Sequence, residues 1–170
     1  VLGALACGPD DPAARVYFED FEQVCDGAPC GWRRTAGPAG GARWVETIHP
    51  GEHGLRLEGD VTVRGPGATP EDASVLDSFV QLGVAARCDT DSGLRFVVLF
   101  EDEAGSRSEA AAELSGPVAW QDRVALSLSV ERGRLLTGSR VTALVVEKSG
   151  PGVCEIGLVR VDDVFPSPGC

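Results

Sequence analysis

Apolar and polar residues alternate along most of this chain, and this period of two constrains its fold more than any other feature. Between Leu55 and Arg64 the odd positions are apolar or glycine, and the even positions are charged or threonine. Similar alternation runs through residues 80–88, 94–100 and 124–130. Successive side chains of a strand point to opposite faces of a sheet. Each segment therefore predicts a strand with one buried and one wet face.

Further strands are predicted where apolar residues recur between glycine- and proline-rich turns, at residues 16–22, 42–48 and 141–147. Residues 109–114 are the one stretch that could be helical. The longest loop is expected at 65–73, where it could form a mobile rim. About ten short strands at regular spacing predict an all-β fold, a two-sheet antiparallel β-sandwich.

The acidic composition limits the partners that the protein can have. Asp and Glu number 26 against 15 Lys and Arg, which gives a net charge of −11. Such a charge repels phosphate backbones and anionic lipid headgroups, so nucleic acid is excluded as a partner. Cations and uncharged ligands are favoured. We expect a monomer with contact to a membrane only through a lipid anchor.

The chain length of 170 residues suits one domain with a substantial core. Residues 1–6 are small and apolar and lead to Cys7, which resembles the end of a secretory signal and the acylation site of bacterial lipoproteins. We therefore expect a signal remnant, lipid anchor and tether at 1–14, the sandwich domain at 15–165 and a tail at 166–170. The predicted location is secreted or in the cell envelope, lipid-anchored through Cys7.

The cysteines are consistent with an oxidising compartment. Cys25 and Cys30 flank a turn-like insert and could close a small disulfide loop. Cys88 and Cys154 each fall on the apolar face of a predicted strand, so a bridge between them would tie two core-facing strands together. Cys7 is either lipidated, which leaves Cys170 over, or paired with Cys170.

Two short motifs resemble metal sites, but both are better explained as turns. His49-Pro50-Gly51-Glu52-His53 has the letters of an inverted zinc-protease motif, which needs a helix to align its histidines. Pro50 and Gly51 break such a helix. Asp89-Thr90-Asp91-Ser92-Gly93 begins like a calcium loop of the EF-hand type but lacks the later carboxylates. It is predicted to be a hairpin turn.

Four landmarks follow one another in a recognisable order: Phe18-Glu19-Asp20-Phe21-Glu22, Gly31-Trp32, His53-Gly54-Leu55-Arg56-Leu57-Glu58-Gly59 and Val159-Arg160-Val161-Asp162-Asp163-Val164. This order resembles the jelly-roll carbohydrate-binding modules, galactose-binding-domain-like β-sandwiches found on bacterial polysaccharide-degrading enzymes. The resemblance covers about residues 15 to 165. It implies a jelly roll in which the first and last strands lie side by side.

The resemblance also implies a structural calcium ion where those two strands meet. Carried over by position, its ligands are Glu22 and Asp162, with Asp163 as a less favoured partner. Glu52, in the turn before His53, could add a further oxygen. Calcium takes six to eight oxygen ligands, so the residue types are suitable. The alternatives are solvated acidic strand ends or an ion pair between Glu22 and an arginine.

Sugar-binding clefts use flat aromatic side chains as platforms, and this chain has three tryptophans and one tyrosine. The resemblance assigns Trp32 and Trp120 to packing roles, Trp120 between the sheets. Trp44 lies outside both landmarks and is predicted to face a ligand. Tyr17 is a weaker ligand candidate, because its hydroxyl could equally be a donor in the core.

The sequence contains no nucleophile elbow, phosphate loop or dinucleotide fingerprint. Carboxylate pairs such as Glu58 with Asp60 occur on exposed strand faces and carry almost no catalytic signal. The leading hypothesis is a non-catalytic carbohydrate-binding module for a poly- or oligosaccharide. A structural or adhesive envelope lipoprotein that binds protein or envelope polymer is the second, and a glycosidase or lyase is the third.

Overall fold

The computed structural model describes residues 15–47, 51–75, 80–120, 124–130 and 136–163. These residues form strands and turns, and no helix occurs among them. The fourteen strands are β1 (Arg15–Glu19), β2 (Val24–Cys25), β3 (Ala28–Pro29), β4 (Arg33–Ala36), β5 (Ala42–Glu46), β6 (His53–Glu58), β7 (Val61–Gly65), β8 (Val80–Cys88), β9 (Gly93–Glu101), β10 (Arg107–Ser115), β11 (Val124–Ser127), β12 (Ser129–Val130), β13 (Arg140–Ser149) and β14 (Val153–Asp163).

Two six-stranded antiparallel sheets form the expected jelly-roll β-sandwich. Sheet 1 has the order β11-β8-β14-β6-β5, and β1 also pairs with β14. Sheet 2 has the order β12-β10-β9-β13-β7-β4. The short strands β2 and β3 form a separate hairpin.

The last strand, β14, lies inside sheet 1 and pairs with three others. One edge of β14 pairs with β8 from Cys154 to Asp163. The other edge pairs with β6 over Val153–Ile156 and then with β1, where Val159 lies opposite Glu19 and Asp162 opposite Arg15. The first and last strands are therefore neighbours, as the resemblance to jelly-roll modules implies.

The core lies between the sheets and is built from the apolar positions of the alternating segments. Leu82, Val84 and Ala86 of β8 are completely buried, as are Phe96 and Val98 of β9. The remaining fully buried large side chains come from both sheets and include Tyr17, Phe21, Leu57, Leu136, Leu144 and Ile156. Burying this apolar surface is the main driving force for folding.

One expectation about local structure is wrong, and the mobility expected of the 65–73 loop stays a prediction. Residues 109–114, the candidate helix, lie within strand β10, which pairs with β9 over Arg107–Ser115. The 65–73 loop is held against the sandwich by the backbone bonds Ala68 N to Val141 O (2.8 Å) and Ala73 N to Arg15 O (3.0 Å). Residues 109–114 form a strand because they pair with β9, since an alanine-rich segment has no strong strand propensity of its own.

Both expected disulfides are present. Cys25–Cys30 closes the β2–β3 hairpin, and Cys88–Cys154 links β8 to β14 in the middle of sheet 1. The sulfurs of the second bridge face the core, because both cysteines are almost completely buried. Cys7, Cys170 and the terminal segments assigned to anchor and tail lie outside the described residues. Within those residues no helix is long and apolar enough to cross a membrane.

Removing the Cys88–Cys154 bridge should destabilise the domain more than removing Cys25–Cys30. The two bridges span 66 and 5 residues, and loop-closure entropy gives about 4 and about 2 kcal/mol. Urea unfolding of the double variants C88A/C154A and C25A/C30A measures both losses. Equal losses would contradict the assignment of Cys88–Cys154 as the main covalent constraint.

Candidate functional site

The outer face of sheet 1 carries a floor of small residues. Gly83 lies opposite Arg160 in the ladder, and Ala85 lies opposite Leu158. The register of β8 against β14 shifts between Ile156 and Leu158, which places Gly157 in the irregularity. Ala85 and Gly157 line a groove on this face, because their small size leaves the sheet surface low there.

Trp120 forms one wall of this groove. Its ring lies 3.5 Å from the position that a Cβ atom on Gly157 would occupy. The segment that carries it is fixed to the sheet edge by two backbone bonds between Val118 and Cys88, at 2.8 and 2.9 Å. Trp120 is half-buried. It therefore lies on the outer face of sheet 1, and the expectation that it packs between the sheets is wrong.

Phe18 and Leu158 supply the remaining apolar surface of the groove, and three carboxylates line its rim. The Trp120 groove is lined by Phe18, Asp20, Glu22, Thr47, Gly51, Glu52, Ala85, Trp120, Gly157 and Leu158. Past Trp120 and Thr47 the surface continues into a second hollow, lined among others by Glu46, Arg87, Asp89 and Glu155. The two hollows share the Trp120 ring.

Glu22 is held at the rim by His53. The backbone N–H of His53 donates to Glu22 Oε1 at 2.5 Å, and His53 Nδ1 lies 3.1 Å from Glu22 Oε2. These contacts, the backbone one first, lower the pKa of Glu22 below its usual value. Glu22 therefore stays ionised in mildly acidic solution.

A ladder of alternating charges crosses the outer face beside the groove. Glu155, which is almost buried, accepts hydrogen bonds from Arg56 Nη1 at 3.1 Å and Arg87 Nε at 2.7 Å. Arg56 also donates to Glu58, and Glu58 in turn pairs with Arg43. These mutual ion pairs neutralise this part of the face and position its side chains.

Trp32 and Trp44 both take structural positions around the first turn of the chain. Trp32 Nε1 donates to Glu19 Oε2 at 2.8 Å, and the ring packs on Phe21 with centroids 5.1 Å apart. Trp44 Nε1 donates to the Phe21 carbonyl at 2.9 Å, and its ring stacks on His53 at 4.1 Å. The packing role predicted for Trp32 is confirmed. The role of Trp44 as a ligand platform stays a prediction. Trp120 is the better placed of the two for that role, because it lines the groove and Trp44 does not.

The prediction that Tyr17 contacts a ligand is wrong, because its side chain lies in the core. Only 1% of Tyr17 is exposed. Burial, followed by the nearby carboxylates Glu19 and Asp72, raises the pKa of its hydroxyl far above the usual value. A hydroxyl on the inner side of the sheet cannot reach a ligand in solvent.

Of the four predicted calcium ligands, Glu22 and Glu52 line the same groove, but Asp162 and Asp163 do not join them. Asp162 lies opposite Arg15 in the β1–β14 ladder, whereas Glu22 follows the other end of β1; four strand residues alone span about 13 Å. Asp162 accepts a hydrogen bond from Arg160 Nε at 2.5 Å, and Asp163 is buried. Across the described ranges, no three carboxylate, histidine or cysteine side chains are close enough to share a metal ion. These four residues therefore do not fit a calcium site.

The positive charge beside β1 comes from the guanidinium group of Arg15. Arg15 Nε lies 3.0 Å from Asp72 Oδ1, and the Asp72 side chain is only 2% exposed. The other oxygen of Asp72 accepts bonds from the Thr69 N–H (2.8 Å) and hydroxyl (3.1 Å). Arg15 therefore balances a buried carboxylate and holds the 66–75 loop against β1.

Sequence reasoning missed the groove and the supporting role of Glu19. Glu19, which follows Phe18, holds the turn by accepting hydrogen bonds from Trp32 Nε1 and the Phe21 N–H. Burial raises the pKa of Glu19 more than these two bonds lower it. The groove itself had a weak signal in the sequence, since Gly83, Ala85 and Gly157 are small residues within strands.

The fold is that of solved carbohydrate-binding modules. The family 11 module from Clostridium thermocellum, in complex with a β-1,3-1,4-mixed-linked tetrasaccharide, has a TM-score of 0.53 and 10% identity, covering 88% of this chain and 95% of that one. The C-terminal family 22 module of Clostridium thermocellum xylanase 10B gives 0.50 and 15%, covering 91% and 96%. At such identities the likeness establishes the jelly-roll fold.

A larger structure, the CBM22-1–GH10 modules of the same xylanase with xylohexaose, has a TM-score of 0.56 and 12% identity. The match covers 88% of this chain but 29% of that one. No protein-family model matches the sequence, and no curated protein matches it either.

Arg15→Ala should lower the free energy of unfolding by about 2–3 kcal/mol, because it leaves Asp72 as an uncompensated buried charge. Glu71→Gln is the control, since Glu71 is 86% exposed and 3.9 Å from the same guanidinium. It should change stability by no more than about 0.5 kcal/mol. Urea denaturation measures both changes in the free energy of unfolding. Equal changes would show that the Arg15–Asp72 ion pair does not stabilise the fold.

Calcium should leave the thermal midpoint unchanged, because Glu22, Asp162, Asp163 and Glu52 do not share a site. Calorimetric melting in excess calcium and in chelator tests this. A calcium-dependent rise in wild type that disappears in Glu22→Ala would restore the site predicted from the sequence.

Proposed function

We propose that this domain is a non-catalytic carbohydrate-binding module of a secreted or envelope protein, and that it binds a poly- or oligosaccharide in the Trp120 groove. The observation that carries the proposal is the position of Trp120. Its ring borders an open groove with a low floor on one sheet face, and polar side chains line the groove around it.

The groove offers both kinds of contact that a sugar ring needs. The C–H faces of a pyranose are apolar and pack against flat aromatic rings, here Trp120 with Phe18 nearby. Sugar hydroxyls donate well to carboxylates, and Asp20, Glu22 and Glu52 lie within the same groove. A ligand site of this type combines apolar walls with a few placed polar groups.

The shape of the site supports an extended ligand. The Trp120 groove continues past the indole into the hollow beside Arg87 and Glu155, so a chain of sugars can lie across both. The solved modules of the same fold that are in complex with xylohexaose or a mixed-linked tetrasaccharide support an oligosaccharide as the ligand class.

The electrostatics support binding without catalysis. A glycosidase needs a carboxylic acid that stays protonated near neutral pH to protonate the leaving group. Glu22, which lines the groove, has a lowered pKa, chiefly because the backbone N–H of His53 donates to it. Glu19, whose pKa is raised, is turned toward Trp32 and Phe21.

Trp120→Ala should weaken binding to the best oligosaccharide by about tenfold or more, because it removes the platform of the groove. Trp44→Ala is the matched control. It should lower the melting temperature, because Trp44 stacks on His53 and donates a hydrogen bond to the Phe21 carbonyl. It should leave the affinity of the folded protein for the oligosaccharide within about twofold of wild type. A glycan array followed by titration calorimetry measures these affinities.

Loss of affinity in Trp44→Ala with none in Trp120→Ala would move the site to the edge of sheet 1 and restore the prediction made from the sequence. Failure of wild type to bind any glycan would reject the proposed function and favour a structural or adhesive domain.

A further inference from the structure

We infer that the Trp120 groove selects sugars that carry free amino groups, as in glucosamine-rich polysaccharides, over neutral or uronate-bearing ones. This inference rests on the proposed function and assigns its substrate class. It is argued from the charges that line the groove and from the way in which the neighbouring cations are already paired.

The ionisable groups that line the Trp120 groove are Asp20, Glu22 and Glu52. Neither lysine nor arginine is among its described lining residues. Glu22 and Glu52 are exposed, and Asp20 is half-buried, so all three reach the solvent of the groove. Glu22 is paired with His53, whose Nδ1 lies 3.1 Å from Glu22 Oε2. Asp20 and Glu52 therefore contribute most of the negative potential that attracts cationic ligands and repels carboxylated sugars.

The arginines around the groove are already balanced by carboxylates. Arg15, whose Cζ lies 5.5 Å from the centre of the Phe18 ring, has its Nε 3.0 Å from Asp72 Oδ1. Arg87 lies 2.7 Å from Glu155 and 3.6 Å from Asp89. Arg160, opposite Gly83 in the ladder, donates to Asp162. Their charges are therefore compensated locally and do not offset the three carboxylates of the groove.

The acidic character continues on the other side of the indole. Glu46 and Asp89 line the second hollow, where Arg87 and Glu155 compensate each other. Glu46 Oε1 accepts the Gly51 N–H at 2.9 Å, which fixes the carboxylate beside the shared border of the two hollows. Successive sugars on either side of Trp120 would both face carboxylates.

The Trp120 ring adds a contribution that neutral sugars lack. An ammonium group near the face of an indole is attracted by the ring quadrupole, in addition to the stacking of the sugar C–H face. Platform and charge therefore favour the same ligand. A neutral glycan would use the platform alone, and a uronate would face repulsion from the rim.

The experiment measures affinity by calorimetry for three oligosaccharides of equal length at mildly acidic pH, where the amines are protonated. The probes are a glucosamine oligomer, its fully N-acetylated form and an oligogalacturonate. The glucosamine oligomer should bind about five- to twentyfold tighter than the acetylated form, since an exposed ion pair contributes roughly two- to fivefold and more than one forms. Added salt should reduce the difference.

The double variant Asp20→Asn with Glu52→Gln tests the assignment to the groove. Both changes keep the shape of the side chains, and the amide oxygen introduced at position 20 can still accept the Glu22 N–H that Asp20 accepts now. The control is Glu103→Gln in the β9–β10 turn with Glu109→Gln on β10, which changes the net charge equally. The groove variant should lose most of the preference, and the control should keep it.

Equal affinity for the glucosamine and acetylated oligomers would overturn this inference and leave the proposed function intact. An equal loss of preference in both double variants would also overturn it, since net charge alone would then explain the preference. If a lysine peptide binds as tightly as the glucosamine oligomer and Trp120→Ala does not distinguish them, the groove is not specific for sugars. Binding of no glycan would reject the proposed function itself.

Discussion

The pairing of β14 along both of its edges is the constraint on which the rest of the structure depends. β8 occupies one edge, and β6 followed by β1 occupies the other. The strand therefore joins the beginning, the middle and the end of the domain in one sheet, and the Cys88–Cys154 bridge fixes its register covalently. Pairings this distant in sequence carry a large entropic cost, and the buried apolar rows of both sheets compensate for it.

The groove is a consequence of that pairing. The register shift at Gly157 interrupts the regular outer row of β14, and the small residues of β8 lie beside it. Trp120 reaches this floor because its segment leaves sheet 2 and pairs with Cys88 at the edge of sheet 1. One strand therefore provides both the closure of the sandwich and the surface that we propose as its binding site.

Much of the fold was predictable because a period of two leaves little choice of structure. The rows of apolar residues in β6, β8 and β9 are buried as their alternation indicates. The helix considered for residues 109–114 is wrong because alanine, glutamate and leucine favour a helix locally, whereas pairing with β9 imposes a strand. Which tryptophan faces a ligand is hard to predict from the sequence for a related reason. Whether an indole is buried, stacked or exposed depends on neighbours far away in sequence, as Trp44 on His53 and Trp120 over Gly157 show.

By itself the sequence determined the all-β class, because alternation is a local property, and it suggested the two disulfides from the positions of their cysteines. The adjacency of the first and last strands was implied only by the resemblance to jelly-roll modules. The tertiary structure decided which glutamate serves as a partner of Trp32, which cation lies beside Asp72 and which tryptophan borders the groove. From the sequence, Glu22 and Asp162 look suited to share one metal site. In the structure they lie near opposite ends of β1, and this distance keeps them apart. Such relations depend on strand register and on distances across the sheet, which no single segment encodes.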